Sequence, residues 1–322
     1  MAQNNVVSDV GVSAGGLGIA IASAIVQLNK AAVTPACITM TPAPAGTNTV
    51  KFPIYTKHDV TNADHGVKNM ASGAEETDAN LTNIETTAVS VEVLRNAIRA
   101  EITDLAAHGN ADALMANAGR QLGNDIAKEF DINVCALFDG FATSKGTSTE
   151  GLKFMDLMDA LASLEANDAP RPYHAVLHPQ QVFGSFGLSN ELSSIASNQS
   201  NAGASNAGNV VLPVNGASGA FVGAQPAIDQ FMGAGFVTQL AGINIYTSTS
   251  VPDGSDATEK KGGIFASTAI GCGYIDFGAG NFVQMTSERE EKSAKTVMVA
   301  NGYYAVSELV DLHGVEIHTE IS

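Results

Sequence analysis

The chain has 322 residues, 45% of them hydrophobic, enough to fill one or two cores, while charged residues make up only 15%, well under the usual quarter. The formal net charge is −17 and no Lys/Arg run builds a basic face, which argues against a protein that grips nucleic acid by neutralising phosphates. With 32 Gly, no Trp and only 6% aromatics, small residues form much of the interior and the turns, which suits a β-rich chain better than a helical bundle. Three cysteines, Cys37, Cys135 and Cys272, form no C-x-x-C pair; free buried thiols in a reducing compartment are expected, without a disulfide framework or zinc site.

Residues 1 to about 45 form an apolar arm ending in the extended stretch Thr41-Pro42-Ala43-Pro44. Val10 to Leu28 lacks the basic n-region of a signal peptide, and Gly15, Gly16 and Gly18 interrupt it. From Thr47, Val50, Phe52 and Ile54 alternate with Lys51, Pro53 and Tyr55; a polar middle, Asp59 to Asp78, leads to a descending half with Leu81 and Ile84. This predicts a long two-stranded ribbon with a polar tip. An isolated hairpin is marginal in water, so the ribbon is expected to rest on something outside its own subunit.

Val89, Val91 and Val93 predict a strand, and Ala97 to Ala107 a helical stretch. Asn110 is then expected to cap a long helix, 111–138, with Leu114, Ala118, Leu122, Ile126, Phe130, Val134 and Phe138 as its stripe and Gly140 closing it. Arg120, Asp125, Lys128 and Asp131 are expected on its solvent face. Further elements are expected at Leu152 to Leu164 (helix), Tyr173 to Leu177 (strand) and Pro179 to Phe186 (short helix). A Ser/Asn/Ala/Gly-rich loop over 188–220 precedes strands at Ile243 to Thr247 and Ile264 to Phe277. The β-rich end is read as Phe282 to Ser287, a charged turn Glu288 to Lys292, then Thr296 to Ala300, Tyr303 to Ser307 and Val315 to His318.

Motifs for catalysis or cofactors are weak. Gly11-Val12-Ser13-Ala14-Gly15 fits the nucleophile-elbow pattern but has no strand before it. Gly16-Leu17-Gly18 and Gly278-Ala279-Gly280 lack the third glycine of a dinucleotide loop. His174 and His178 have helical zinc spacing, yet Pro170, Pro172 and Pro179 point to a strand instead. Asp253, Asp256 and Glu259 lack the spacing of a calcium loop. No cofactor, metal site or enzymatic activity is expected.

The order of elements (arm, ribbon, valine strand, long capped helix, α/β insertion with a polar loop, returning β-rich end) resembles the Hong Kong 97-type capsid fold of tailed phages, shared with encapsulin shells. The resemblance rests on Gly73-Ala-Glu-Glu-Thr-Asp-Ala-Asn-Leu-Thr leading into Val89-Ser-Val-Glu-Val-Leu, and on Asn110 to Gly140. It rests also on Leu152 to Leu164 with Tyr173-His-Ala-Val-Leu-His-Pro, and on Gly242-Ile-Asn-Ile-Tyr through Val251-Pro to Gly263-Ile-Phe-Ala. It implies an α+β fold with an N-terminal arm (1–45), an extended β-hairpin loop (46–88), a peripheral domain (89–140 and 276–322) containing the spine helix 111–138, and an axial domain (141–275).

The resemblance further implies a major capsid protein whose copies join in hexamers and pentamers to enclose double-stranded DNA. Portal, a separate scaffolding protein and a cement or decoration protein would be its partners; it would have no membrane association, and would assemble in the host bacterial cytoplasm. Glu75, Glu76 and Asp78 on the ribbon and Arg289, Lys292 and Lys295 near the C-terminus are candidate inter-subunit partners. Some relatives cross-link a loop Lys to a neighbour's Asn; Lys57 and Lys68 lie in the corresponding region, with no bond assigned. An encapsulin compartment is the alternative within the fold, and a surface-layer or adhesin protein or a hydrolase built on Ser13 are alternatives outside it.

Overall fold

Two sheets that meet over a shared core, and a two-stranded ribbon leaning on one of them, organise the chain. The computed structural model describes residues 32–55, 86–189, 191, 236–278 and 281–321. In chain order the elements are β1 (Thr39–Pro42), β2 (Thr49–Tyr55), β3 (Thr86–Glu92), β4 (Leu94–Thr103), α1 (Asp104–Cys135), β5 (Ser144–Lys145), α2 (Phe154–Ala166) and β6 (Tyr173–Leu177). They continue with α3 (Pro179–Phe183), β7 (Phe236–Leu240), β8 (Ile243–Thr247), β9 (Glu259–Ala266), β10 (Ile270–Tyr274), β11 (Val283–Glu290), β12 (Lys295–Glu308) and β13 (Gly314–Glu320).

The first sheet is built around β12, a single 14-residue strand where the sequence suggested two short ones. Its first part pairs antiparallel with β11 and with all of β4, and its last part with β10; β1 adds to β10 in parallel. The stretch expected to begin a helix at Ala97 is therefore strand. Ile98, Ala100 and Ile102 alternate toward α1, Arg99 and Glu101 point away, and a ladder from Leu94↔Tyr304 to Thr103↔Lys295 outweighs the local helix preference of Ala, Arg and Glu. Helix α1 consequently starts at Asp104 rather than after an Asn110 cap, and ends at Cys135, short of the expected 138; a 3-10 turn, Phe138–Gly140, follows. At 32 residues it is about 48 Å long at ~1.5 Å per residue. The Asp104 N–H donates to the Ala294 carbonyl at 2.9 Å, where Ala294 turns the chain with φ 47°.

The second sheet runs β5-β13-β9-β6-β8-β7. Leu157, Ala160 and Leu164 of α2 cover one face, against Tyr173, Ala175, Leu177, Ile243, Ile245 and Ile317. Val176 and Phe265 point to the other face and join Phe130, Val134, Phe138, Phe141, Ile270 and Tyr304, so this core belongs to both sheets. The strand expected over Ile264 to Phe277 is broken at 267–269, where the Ala269 N–H donates to Ala266 and the chain passes from the second sheet to the first. It passes back at 309–313, which puts β10 in the first sheet and β13 in the second. The first sheet thus takes β10, from before position 276, and the second takes β13, from after it. Among the described residues no helix is long and apolar enough to cross a membrane.

Candidate functional site

The ribbon base is β2 paired antiparallel with β3, Val50 opposite Val91 and Phe52 opposite Val89. Alternation turns Val50, Phe52, Val91 and Val93 inward onto Ala43, Ile275, Tyr303, Ala305 and Leu309, each contributing about 1.5–3 kcal/mol if fully buried. On the inward face burial fades along β2, from Val50 at 2% and Phe52 at 6% exposed to a half-buried Ile54. This close seating depends on the sequence Ile270-Gly-Cys-Gly-Tyr. The larger residues of β10 face the shared core, and a Cβ on Gly273 would stand 2.9 Å from Val50 Cγ2, one on Gly271 2.8 Å from Leu309 Cδ1. Glycines alternating in a strand mark such an approach of another element. The polar stretch of the ribbon, with Glu75, Glu76 and Asp78, lies outside the described residues.

The arm is fastened at one buried carboxylate. Asp131 on α1 accepts from the Val33 and Thr34 N–H groups (both 3.0 Å to Oδ1) and from the Thr34 hydroxyl at 2.6 Å, and its Oδ2 accepts from the Ser248 hydroxyl at 3.1 Å. It is 3% exposed, which corrects the expectation that it lies on the solvent face of the helix. Sequence reasoning missed this residue. The signal it did carry is that Asp131 directly follows the stripe residue Phe130, so the buried face is wider than a four-residue repeat implies. From this anchor the chain runs into β1 and pairs with β10 from Thr39↔Gly271 to Pro42↔Tyr274.

The C-terminal basic residues sit at the far end of the first sheet. Lys295 Nζ lies 2.9 Å from Glu101 Oε2 on β4 and 3.2 Å from Glu290 Oε2 on β11, and Arg289 lies 2.8 Å from Asp104 at the start of α1. The Lys295 hydrogen bond holds the Glu101 carboxyl below its usual range, and its partners, Glu101 first, push Lys295 up. Arg289 and Lys295 thus brace their own subunit, while Lys292 is exposed on the turn between β11 and β12.

The remaining candidates hold structural posts. His174 is in β6, its Nδ1 buried with no hydrogen-bond partner; His178 caps α3, its Nδ1 accepting from the Gln180 N–H at 3.3 Å. Glu259 accepts from the Ser255 N–H at 2.8 Å and faces His318 Nε2 at 3.0 Å, and Asp253 pairs with Lys260. Among the described residues no group of three or more His, Cys, Asp and Glu could hold a metal ion. The cysteines are free and buried. Burial, followed by the Asp131 charge, pushes the Cys37 thiol up to about 12, and burial alone does the same to Cys272. Cys135 is pushed well above its ordinary value, first by burial. Protonated thiols of this kind are poor nucleophiles. Ser13 and Gly16-Leu17-Gly18 lie outside the described residues.

No family model matches the chain, and no curated protein matches it in sequence. Solved structures do. It is similar to the capsid of Ralstonia phage GP4 at 11% identity, over 100% of this chain and 99% of that one, with a TM-score of 0.65. It is similar to the capsid of cyanophage P-SCSP1u at 17% identity, covering 93% and 91% of the two chains, with a TM-score of 0.61. The SrpI encapsulin of Synechococcus elongatus also superposes, at 11% identity over 100% and 98%, with a TM-score of 0.58. At these identities the likeness is one of fold: the chain has the fold of tailed-phage capsid proteins, which an encapsulin shares.

Proposed function

We infer that the chain is the major capsid protein of a tailed phage, whose copies self-assemble into an icosahedral shell around double-stranded DNA. The observation that carries this is the end-to-end match to phage capsid subunits, with almost no residue of either chain left over in the Ralstonia phage comparison. The architecture supports it. The base of the ribbon is seated on its own subunit, and extended elements that pair with sister copies give several modest contacts that reinforce one another. In this reading residues 1–45 are the arm and 46–88 the extended loop. Helix α1 with the β4-β12-β11 part of the first sheet is the peripheral domain, α1 being its spine helix, and the second sheet with α2 is the axial domain. The protein acts as a container and not as an enzyme. Hexamers, pentamers, a portal, a scaffolding protein and a cement protein are its partners, and the virion is its location. An acidic inner wall keeps packed DNA from adhering to it.

An inter-subunit contact between Glu75, Glu76 and Asp78 and the group Arg289, Lys292 and Lys295 has to compete with Asp104, Glu101 and Glu290 for the two paired bases, so Lys292 is its most available member. Reversing the acidic set alone and the basic set alone should each impair assembly, and reversing both should restore it; no restoration removes this contact from the proposal.

The encapsulin match keeps a second reading in view, a nanocompartment enclosing a cargo protein. Electron microscopy of the chain, expressed alone and with its genomic neighbours, tests both. Closed shells are expected. Nucleic acid within them supports the phage reading and a co-purifying enzyme supports the compartment. A compact monomer at high concentration in every preparation overturns both.

A further inference from the structure

Asp131 stands where three parts of the chain meet. Its helix α1 is fixed to the first sheet by Leu122 and Ile126 against Ile98, Met298 and Ala300, and by Phe130 stacked near Tyr304 with ring centroids 4.9 Å apart. Ser248 belongs to the second sheet: it follows β8, its N–H donates to the Leu177 carbonyl of β6 at 3.0 Å, and its hydroxyl accepts from the Ser250 N–H at 3.2 Å. Val33 and Thr34 belong to the arm, a few residues before β1. Oδ1 accepts from the Val33 N–H, the Thr34 N–H and the Thr34 hydroxyl, while Oδ2 accepts from the Val33 N–H at 3.1 Å and the Ser248 hydroxyl. Val33, Thr34, Asp131 and Ser248 are each no more than 3% exposed, and among the described residues no cation pairs with the carboxylate. Water therefore cannot replace a donor that withdraws, and an unpaired group in this position is costly.

We propose that Asp131 couples the anchorage of the N-terminal arm to the relative placement of the two sheets. Here the arm and the second sheet share one carboxylate on a helix of the first: Oδ1 takes arm donors, and Oδ2 takes the Ser248 hydroxyl together with the Val33 N–H. A displacement of the second sheet against α1 draws Ser248 from Oδ2 and leaves the plane of the carboxylate held by the arm alone. A pull on the arm, in turn, releases Ser248. Such coupling is reciprocal by thermodynamic necessity, so each side reports on the other. Asn cannot substitute, because its amide offers one acceptor oxygen and turns an NH2 toward N–H or O–H donors. The inference concerns the subunit itself and stands whether or not the chain builds a shell.

Hydrogen exchange on the full chain, in whatever assembly state it purifies, tests it through two variants that leave the carboxylate intact. Ser248→Ala removes no hydrogen bond made by an arm residue, yet exchange at the Val33 and Thr34 amides should accelerate, by up to the order of tenfold expected for weakening a hydrogen bond to a charged group. Thr34→Val touches no residue of the second sheet, yet exchange at the Ser250 amide should accelerate as well. The Ala175 amide in β6 serves as the reference and should be unchanged in both. Asp131→Asn should loosen both ends at once, and if it does not fold the other two variants still decide. Unaltered exchange at Val33 and Thr34 in Ser248→Ala overturns the coupling, as does acceleration that is uniform along the chain.

Discussion

Val50 and Gly273 are in such close contact that a Cβ at position 273 would lie 2.9 Å from Val50 Cγ2 and 3.1 Å from Val50 Cβ. The seating of the ribbon on the body is therefore set by the absence of a single methyl group. Gly273→Ala should lower stability by about 1–3 kcal/mol, the usual range for overpacking. Adding Val50→Ala should recover part of that loss. Denaturant midpoints of the single and double variants measure it, and no recovery would place the strain elsewhere.

Phe130 is fully buried between Tyr304 and Phe282, with centroids 4.9 and 5.6 Å away, in the core that both sheets share. Phe130→Ala should cost about 3–5 kcal/mol, as large-to-small changes in closed cores do. The conservative Phe130→Leu should cost distinctly less. Equal losses in thermal unfolding would show that the cavity is not the cause.

His178 gives the protein an acid-sensitive cap. Burial, then the Lys260 charge, push its pKa from 6.5 down to about 4. A histidine with a folded value below its unfolded one binds protons more readily when unfolded, so its contribution is present above 6.5 and is lost as pH falls toward 4. Burial lowers His174 and His313 in the same sense, while Glu308, raised by burial and then by Asp311, acts in the opposite one. The informative quantity is thus the difference between the parent and His178→Asn, which keeps a capping side chain. Stability measured across this window should fall less steeply in the variant. Parallel curves would reject the assignment.

Lys295 and Glu101 form the innermost pair of the charged network at the sheet end. Because Lys295 holds the Glu101 pKa down from 4.5, the pair stabilises above that pH, and its contribution disappears as pH falls through the lower folded value. Lys295→Met should therefore be more damaging near about pH 7 than in acid below the lowered folded value, and Glu101→Gln in the same chain should recover part of the loss at the higher pH. Equal damage at both pH values would assign the effect to the lysine stem instead of its charge.

Strands β6 and β8 were legible to the residue, because β6 is a short run buried throughout and β8 alternates buried Ile243, Ile245 and Thr247 with half-buried Asn244 and Tyr246, each bounded by turn residues. The inward alternation of Val50 and Phe52 was legible for the same reason in its period-two form. Strand β4 was not: Ala97-Ile-Arg-Ala-Glu reads locally as helix, and the partner that makes it a strand, β12, lies almost two hundred residues further on. Glu290 and Thr296 were placed at a turn and a strand start, whereas the ladder to Lys295 carries both strands further. Asp131 was assigned to solvent because helical periodicity alone cannot register a donor arriving from Val33 or Ser248. The pairing of Arg289 with Asp104 and of Lys295 with Glu101 follows from the β11-β12-β4 ladders, which no local pattern registers. The resemblance in element order carried the architecture across these local differences, although 97–103 is strand and not helix, the stretch 264–277 holds two strands and β12 replaces two short ones.

The parallel pairing of β1 with β10 has a consequence for biosynthesis. Thr39 donates its hydroxyl to the carbonyl of Ser267, 228 positions away, so the first strand among the described residues lacks its partner β10 until most of the polypeptide has left the ribosome. At about 5–20 residues per second that is a delay of roughly ten to fifty seconds. During this interval β1 lacks the strand that pairs with it in the finished fold.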